Sequence, residues 1–281
     1  MKVLLTGSTG FLGSNINYLL EKFGHQVICP RSPNFLPNWD MLELSNIKEI
    51  FSEHSPEAIV HSAWGVNASN YRDSELNLKW QAATLALYSS AAEYKVNHFI
   101  ALGTFSETGQ DIFSGASQDS SLYAEVKRQT RSKLLEMESQ LKLPVSWLRV
   151  HYPYGFWDKE NRLISLLIKK AISKEEFQLK FPNLHLYFIH SLDIANAVRI
   201  VMEKHITGTL EVKSDQSYSL SEVQTTIKSL LLNEGNLKRD KSELMNYIRA
   251  YGEDNNWKAL ISIQLGLSAA IANISDFEGR N

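Results

Sequence analysis

Short apolar runs and longer amphipathic stretches alternate through the first half of this chain. KVLLT (2–6), HQVIC (25–29), AIVHSA (58–63), HFIALG (98–103) and VSWLRV (145–150) are near-continuous apolar runs of strand length. That is the pattern of strands buried on both faces rather than one. Between them, residues 11–23, 45–54, 77–95 and 122–141 repeat apolar side chains at three- and four-residue intervals, which predicts helices. Strand and helix taken in turn predict an α/β fold with a doubly wound parallel sheet. After Gly155 the pattern loosens. Residues 161–172, 191–204 and 217–232 read as helices, the last with a cap at Ser219 or Ser221, and FQLKF (177–181), HLYFIH (185–190) and GTLEVKS (208–214) read as short strands.

Two clusters carry chemistry. The first strand runs into TGSTGFLG, with glycines at Gly7, Gly10 and Gly13, and then into the first helix. A glycine run between a strand and a helix N-terminus suits a pyrophosphate. Gly7 permits the tight turn, Gly10 lets the backbone approach the ligand, and Gly13 lets the helix pack on the strand, while the helix dipole holds the negative charge. The second cluster is Tyr123 and Lys127 in SLYAEVKRQ. Four residues apart on a helix they share a face. Tyrosine titrates near pH ~10 in water, and a neighbouring ammonium favours the phenolate, so the pair can move a proton nearer neutrality. Dinucleotide and proton donor together predict hydride transfer at a carbonyl or alcohol.

The spacing G-x-x-G-x-x-G, the Y-x-x-x-K of Tyr123 and Lys127, and ALGTFSETG (101–109) at the end of an apolar strand resemble the extended short-chain dehydrogenase/reductase family, of the NAD-dependent epimerase/dehydratase type that modifies nucleotide sugars. VHSAW (60–64), LRVHYPYG (148–155) and YFIHSLDIANAV (187–198) resemble later motifs of that family in order, and the resemblance runs from residue 1 to about 220. It implies a Rossmann-type domain of 1–155 plus about 186–204, and a smaller substrate-binding domain of about 156–185 plus 205–281. It implies catalytic roles for Thr104, Tyr123 and Lys127. Around the cofactor it implies Thr9, Phe11 and Leu12 beside the three glycines, Asp40 near the adenine, Ala63 and Trp64 at a strand end, Tyr152 at the nicotinamide, and Tyr123 and Lys127 again. Two family features are missing: PNLHLYFIH has no Arg before the late strand, and the tail lacks a Trp-x-Pro ending.

No Asp or Glu closes the second strand, where one would bond an adenosine 2′-hydroxyl; Arg31 and Ser32 follow instead. A guanidinium there can pair with a 2′-phosphate, which points to NADP, with NAD as the alternative. Within the family a 4,6-dehydratase needs an acid next to the catalytic Thr, and Phe105 stands there. Arg31, Trp64 and the short chain favour an NADP-dependent reductase of a nucleotide-linked 4-keto-6-deoxy sugar. A 4-epimerase with retained NAD is the alternative, and a non-catalytic cofactor-binding regulator is the remaining one. The implied substrate is a nucleoside diphosphate sugar.

Composition narrows the classes. At 281 residues, 43% hydrophobic and a net charge of −2, the chain can bury a large core and has no basic excess for nucleic acid. No run is long enough to span a bilayer, and the N-terminus lacks the zones of a signal peptide. Cys29 is the single cysteine, so no intrachain disulfide forms, and a cytoplasmic setting is expected. The eight histidines show no metal-ligand spacing. The helices at 77–95 and 122–141 could form a homodimer interface of the kind seen in the family.

Overall fold

A computed structural model describes residues 1–30, 39–65, 70–109, 119–158, 162–232, 244, 251 and 257–278. Two compact units emerge: residues 1–150 with 198–211, and residues 151–197 with 212–281.

The first unit is built on a six-stranded sheet. Its strands are β1 (Lys2–Thr6), β2 (Gln26–Ile28), β3 (Ala58–His61), β4 (His98–Thr104), β5 (Val145–Val150) and β9 (Gly208–Val212), in the order β2-β1-β3-β4-β5-β9. The pairs β1–β2, β1–β3, β3–β4 and β4–β5 are parallel. Consecutive residues Val3, Leu4 and Leu5 are all 0% exposed, so this sheet is covered on both faces, as the unbroken apolar runs require. On one face lie α2 (Leu44–His54), α3 (Leu76–Glu93) and α4 (Leu122–Leu141). Ile47, Phe51, Leu87, Tyr88 and Leu134 from these helices pack against Leu4, Ile59, Phe99, Val145 and Trp147. Helix α1 (Phe11–Lys22) packs on β1 and β2. The strand order reverses between β1 and β3, and in such sheets the crevice beyond the carboxyl ends at that point is where ligands bind.

The second unit contains the parallel pair β6 (Tyr152–Tyr154) and β8 (Phe188–His190) and the antiparallel pair β7 (His185–Leu186) and β10 (Tyr218–Ser219). Helices α5 (Leu163–Ile172), α7 (Leu220–Leu232) and α8 (Ile263–Glu278) pack on one another. Helix α6 (Ser191–Glu203) begins in this unit and ends in the first.

These compact units divide the chain at other points than those the family resemblance implies. Residues 151–155 and 186–197 belong to the second unit because β6 pairs with β8, while 205–211 belongs to the first because β9 joins the sheet beside β5. FQLKF (177–181) forms no strand; Phe177 O accepts from Gln224 Nε2 at 2.9 Å instead. HLYFIH splits into β7 and β8, each with its own partner.

Candidate active site

The glycine turn is as tight as its sequence demands. Gly7 sits at φ +75°, and a Cβ there would lie 2.7 Å from Ala63 N. A Cβ on Gly13 would lie 1.9 Å from Gly7 O, so α1 seats directly on the turn. Gly10 N–H donates to Gly7 O at 3.0 Å. Gly10 caps α1 without a side-chain bond, and no acidic residue stands in the first turn. Thr9 and Gly10 are exposed, Phe11 is buried and Leu12 half-buried. The turn therefore presents an exposed helix N-terminus that suits an anion, and its backbone is packed too closely for side chains. These residues fit a dinucleotide pyrophosphate.

Under the turn lies a polar post. His61 is buried between Thr6 Oγ1 at 2.7 Å and Thr84 Oγ1 at 2.9 Å. Thr84 donates its own proton to Trp80 O at 2.7 Å, so His61 Nε2 must donate to Thr84 and Nδ1 must accept from Thr6. Burial, with a smaller push from Lys127, lowers the His61 pKa to about 3, and the ring is neutral.

Thr104 ends β4 and starts a 3-10 turn, Phe105–Thr108, its hydroxyl accepting from Ser106 N at 3.3 Å. Tyr123 and Lys127 stand one turn apart at the start of α4, which Ser121 caps by accepting from Ala124 N at 3.3 Å. Two residues clamp this entry. Asp119 Oδ1 accepts from Ser121 N at 3.0 Å and from Arg72 Nη2 at 2.9 Å, and Arg72 O accepts from Tyr123 N at 2.8 Å. The Tyr123 ring meets Tyr71 and Trp64 edge-on, with centroids at 5.1 and 6.4 Å.

Lys127 is 5% exposed. Its Nζ donates to Leu102 O at 3.0 Å and lies 3.7 Å from the centroid of the Trp64 ring. Trp64 is fixed in turn, its Nε1 donating to Asn77 Oδ1 at 2.9 Å. Burial lowers the Lys127 pKa to about 7, opposed by the charge of Glu107. A lysine so placed can carry charge beside Tyr123 yet lose it within the range of ordinary buffers.

Thr104, Tyr123, Lys127 and Trp64 all lie in the first unit, as do Ala63 and the glycines. Arg31 and Ser32 lie outside the described residues. Asp40 builds a local turn, Oδ1 accepting from Leu42 N at 3.0 Å. Tyr152 belongs to the second unit, on β6 opposite Phe188. Cys29 is half-buried, its thiol donating to Asn17 Oδ1 at 3.1 Å, and burial raises its pKa. Among the described residues no His, Cys, Asp and Glu group could hold a metal, and no helix is long and apolar enough to cross a membrane.

Sequence reasoning missed Asp119, Arg72, Glu107 and Trp147. Asp119 left a trace, since DSS before an apolar-periodic run is a helix-start signal. The others are joined by contacts across 40 residues or more, 40 for Trp147–Glu107 and 47 for Arg72–Asp119, and no local pattern marks them.

A glycine turn at the switch point of a parallel sheet, with a buried lysine one turn after a tyrosine, has the form of a dinucleotide-dependent oxidoreductase. The chain belongs to the NAD-dependent epimerase/dehydratase family, whose model matches residues 3–211, and is an enzyme of the extended short-chain dehydrogenase/reductase type. It is 22% identical over 300 residues to GDP-L-colitose synthase of Yersinia pseudotuberculosis, covering 95% of this chain and 96% of that one. It is 25% identical over 296 residues to CDP-abequose synthase of Salmonella muenchen, covering 96% and 97%. Among solved structures, the UDP-glucose 4-epimerase of Thermus thermophilus in complex with NAD matches with a TM-score of 0.78 at 16% identity, covering 98% of this chain and 99% of that chain. At that identity the likeness is one of fold.

Proposed function

We propose that this enzyme reduces a nucleoside-diphosphate-linked 4-keto-6-deoxy sugar to its 4-hydroxy product, with NADPH as reductant. NADPH, when bound, supplies the hydride that reaches C4. The glycine turn of Gly7, Gly10 and Gly13, with Thr9, Phe11 and Leu12, would hold the pyrophosphate; Ala63, against which Gly7 packs, and Trp64, beside Tyr123 and Lys127, would line the cofactor site. Arg31 and Ser32 would take the 2′-phosphate, and Asp40 would serve the adenine. Thr104 Oγ1 donates a hydrogen bond to the sugar carbonyl oxygen and orients it. Tyr123 Oη gives that oxygen its proton, and the Lys127 ammonium lowers the cost of the phenolate left behind.

The observation that carries this reading over dehydration is the state of Glu107, the first acid after Thr104 along the chain. Phe105 follows Thr104, and the carboxylate of Glu107 is buried against Trp147 and Arg149, turned into the core rather than available to expel a hydroxyl. Near full-length similarity to a GDP-L-colitose synthase and a CDP-abequose synthase supports a nucleoside-diphosphate-linked substrate.

The test is NADPH consumption, with NADH as control, over a panel of CDP-, dTDP-, GDP- and UDP-linked 4-keto-6-deoxy sugars. One substrate should turn over with NADPH. Tyr123→Phe should lose roughly 10²–10⁴-fold in kcat while NADPH affinity stays unchanged. Silence across the panel from protein that purifies with tightly held NAD would overturn the reductase in favour of an epimerase.

A further inference from the structure

Behind Lys127 stands a carboxylate that the proposed chemistry does not use. Glu107 lies three residues past Thr104, and its side chain is 0% exposed. Both of its oxygens accept from Trp147 Nε1, at 2.9 and 2.8 Å. Oε1 also accepts from Arg149 Nε at 2.7 Å, and Arg131 Nε stands 3.6 Å from the same oxygen. Arg128 Nε donates to the Glu107 main-chain oxygen at 3.1 Å. The other side of this indole belongs to the lysine, with Lys127 Nζ 5.6 Å from the Trp147 ring centroid. Gly103 opens the space: a Cβ there would lie 2.2 Å from Trp147 Nε1.

We propose that Glu107 is a positioning residue that acts through Trp147, fixing the aromatic wall behind Lys127 and holding the buried ammonium in its charged form. This rests on the reading that Lys127 serves Tyr123. A buried ammonium needs compensation. Lys127 has one backbone carbonyl, the face of Trp64 and the more distant face of Trp147. An indole whose N–H donates to an anion is polarised toward its ring, which strengthens its pull on a cation. The carboxylate adds its own attraction through a water-poor wall.

Among the described residues, the surrounding groups leave this role to Glu107. From β3, His61 faces the lysine as a neutral ring. From α3, Asn77 holds Trp64 and Thr84 holds His61, and both are uncharged. From α4 itself come Tyr123 and the cations Arg128 and Arg131, which can only oppose a second positive charge. From β5, Arg149 is shared between Glu107 and Glu211 of β9. Burial pulls Lys127 down to about 7, and Glu107 pulls it upward.

The experiment follows the Cε resonances of biosynthetically ¹³C-labelled lysines against pH in the full chain, with Lys127 assigned through Lys127→Arg. Alongside it runs the pH profile of kcat and of kcat/KM for NADPH turnover. Glu107→Gln keeps the shape and one acceptor for Trp147 but removes the charge. Its Lys127 midpoint should fall by roughly one unit, and the alkaline limb of kcat should move down with it. Glu107→Asp should restore part of that shift. An unchanged Lys127 midpoint in folded Glu107→Gln overturns the proposal. If Glu107→Gln does not fold, Trp147→Phe keeps the carboxylate and removes the indole bridge. A downward midpoint shift there supports the proposal, and an unchanged one overturns it. The NMR midpoint does not depend on turnover. A midpoint that tracks Glu107 in a protein silent on every sugar would refute the reductase and leave the coupling standing.

Discussion

Replacing Gly13 by alanine sets two magnitudes against each other. Gly13 is buried in the first turn of α1. In an ordinary helix the change would stabilise by about 1 kcal/mol, because alanine is the better helix former. Here the new Cβ lands 1.9 Å from Gly7 O, 2.6 Å from Gly7 C and 3.0 Å from Ser8 Cα, all backbone atoms. Relief requires a shift of about 1.5 Å to reach ordinary contact. Gly7 O cannot turn away freely, since it accepts from Gly10 N at 3.0 Å and its residue already holds φ +75°. Overpacking of this kind costs about 1–3 kcal/mol and a lost backbone bond about 1 more. The net expectation is a loss of roughly 1–3 kcal/mol in urea unfolding. Displacing the turn from the helix N-terminus should also remove one charge-assisted bond to the pyrophosphate, about 1.5–3 kcal/mol, or roughly 10–100-fold in Kd for NADPH by calorimetry. Gly10→Ala, whose Cβ would sit 3.2 Å from Gly7 O, should show a smaller loss. Gly13→Ala protein as stable as the parent, with Kd within twofold, would refute the claim that this glycine is required by close approach.

Acid should weaken the fold above pH 3. Burial lowers His61 and His190 to about 3, so the unfolded chain takes up protons below its pKa of ~6.5 while the folded chain does not; their stabilisation is full above that and is lost as pH falls toward 3, about 2 kcal/mol each by pH 5. Asp193 acts in the opposite sense: burial raises it to about 6, so it returns about 1 kcal/mol over the same range, and urea unfolding at pH 7.5 and 5.0 should show a net loss near ~3 kcal/mol. A rise in stability on acidification would contradict this. Asp193→Asn should loosen the 257–261 segment, because Oδ1 accepts from Tyr251 Oη at 2.6 Å and Leu260 N at 3.0 Å while Oδ2 accepts from Ile261 N at 3.1 Å; an amide cannot accept at both positions, and hydrogen exchange at Leu260 and Ile261 should speed up. Ser219→Ala should cost about 1 kcal/mol in thermal unfolding, since Ser219 Oγ accepts from Glu222 N at 3.2 Å and Glu222 Oε2 accepts from Ser219 N at 2.6 Å, a reciprocal cap at the start of α7. No change on that substitution would mean the second unit does not rely on it.

What the chain states locally could be read from it. The apolar runs give β1, β3, β4 and β5 because a strand buried on both faces needs no polar alternation, and the three- and four-residue repeats give α1 to α4 because one face of each must be covered. The glycine spacing was legible because φ +75° at Gly7 and the approach of Gly13 to Gly7 O admit no side chain. Tyr123 and Lys127 were legible because one helical turn brings them together whatever surrounds the helix. Where residues 177–190 pair was not legible: short apolar runs carry no partner, and β7 and β8 go to different strands. The tertiary structure alone decided what encloses Lys127. Trp64, Trp147 and the stretch that carries Leu102 and Glu107 are three separate parts of the chain, and only the sheet order β3-β4-β5 with α4 packed over it brings them to one lysine. The type of group at each position was written in the chain. Burial and long-range charge, which set whether Lys127 keeps its proton, depend on neighbours distant in sequence and exist only once the sheet has formed.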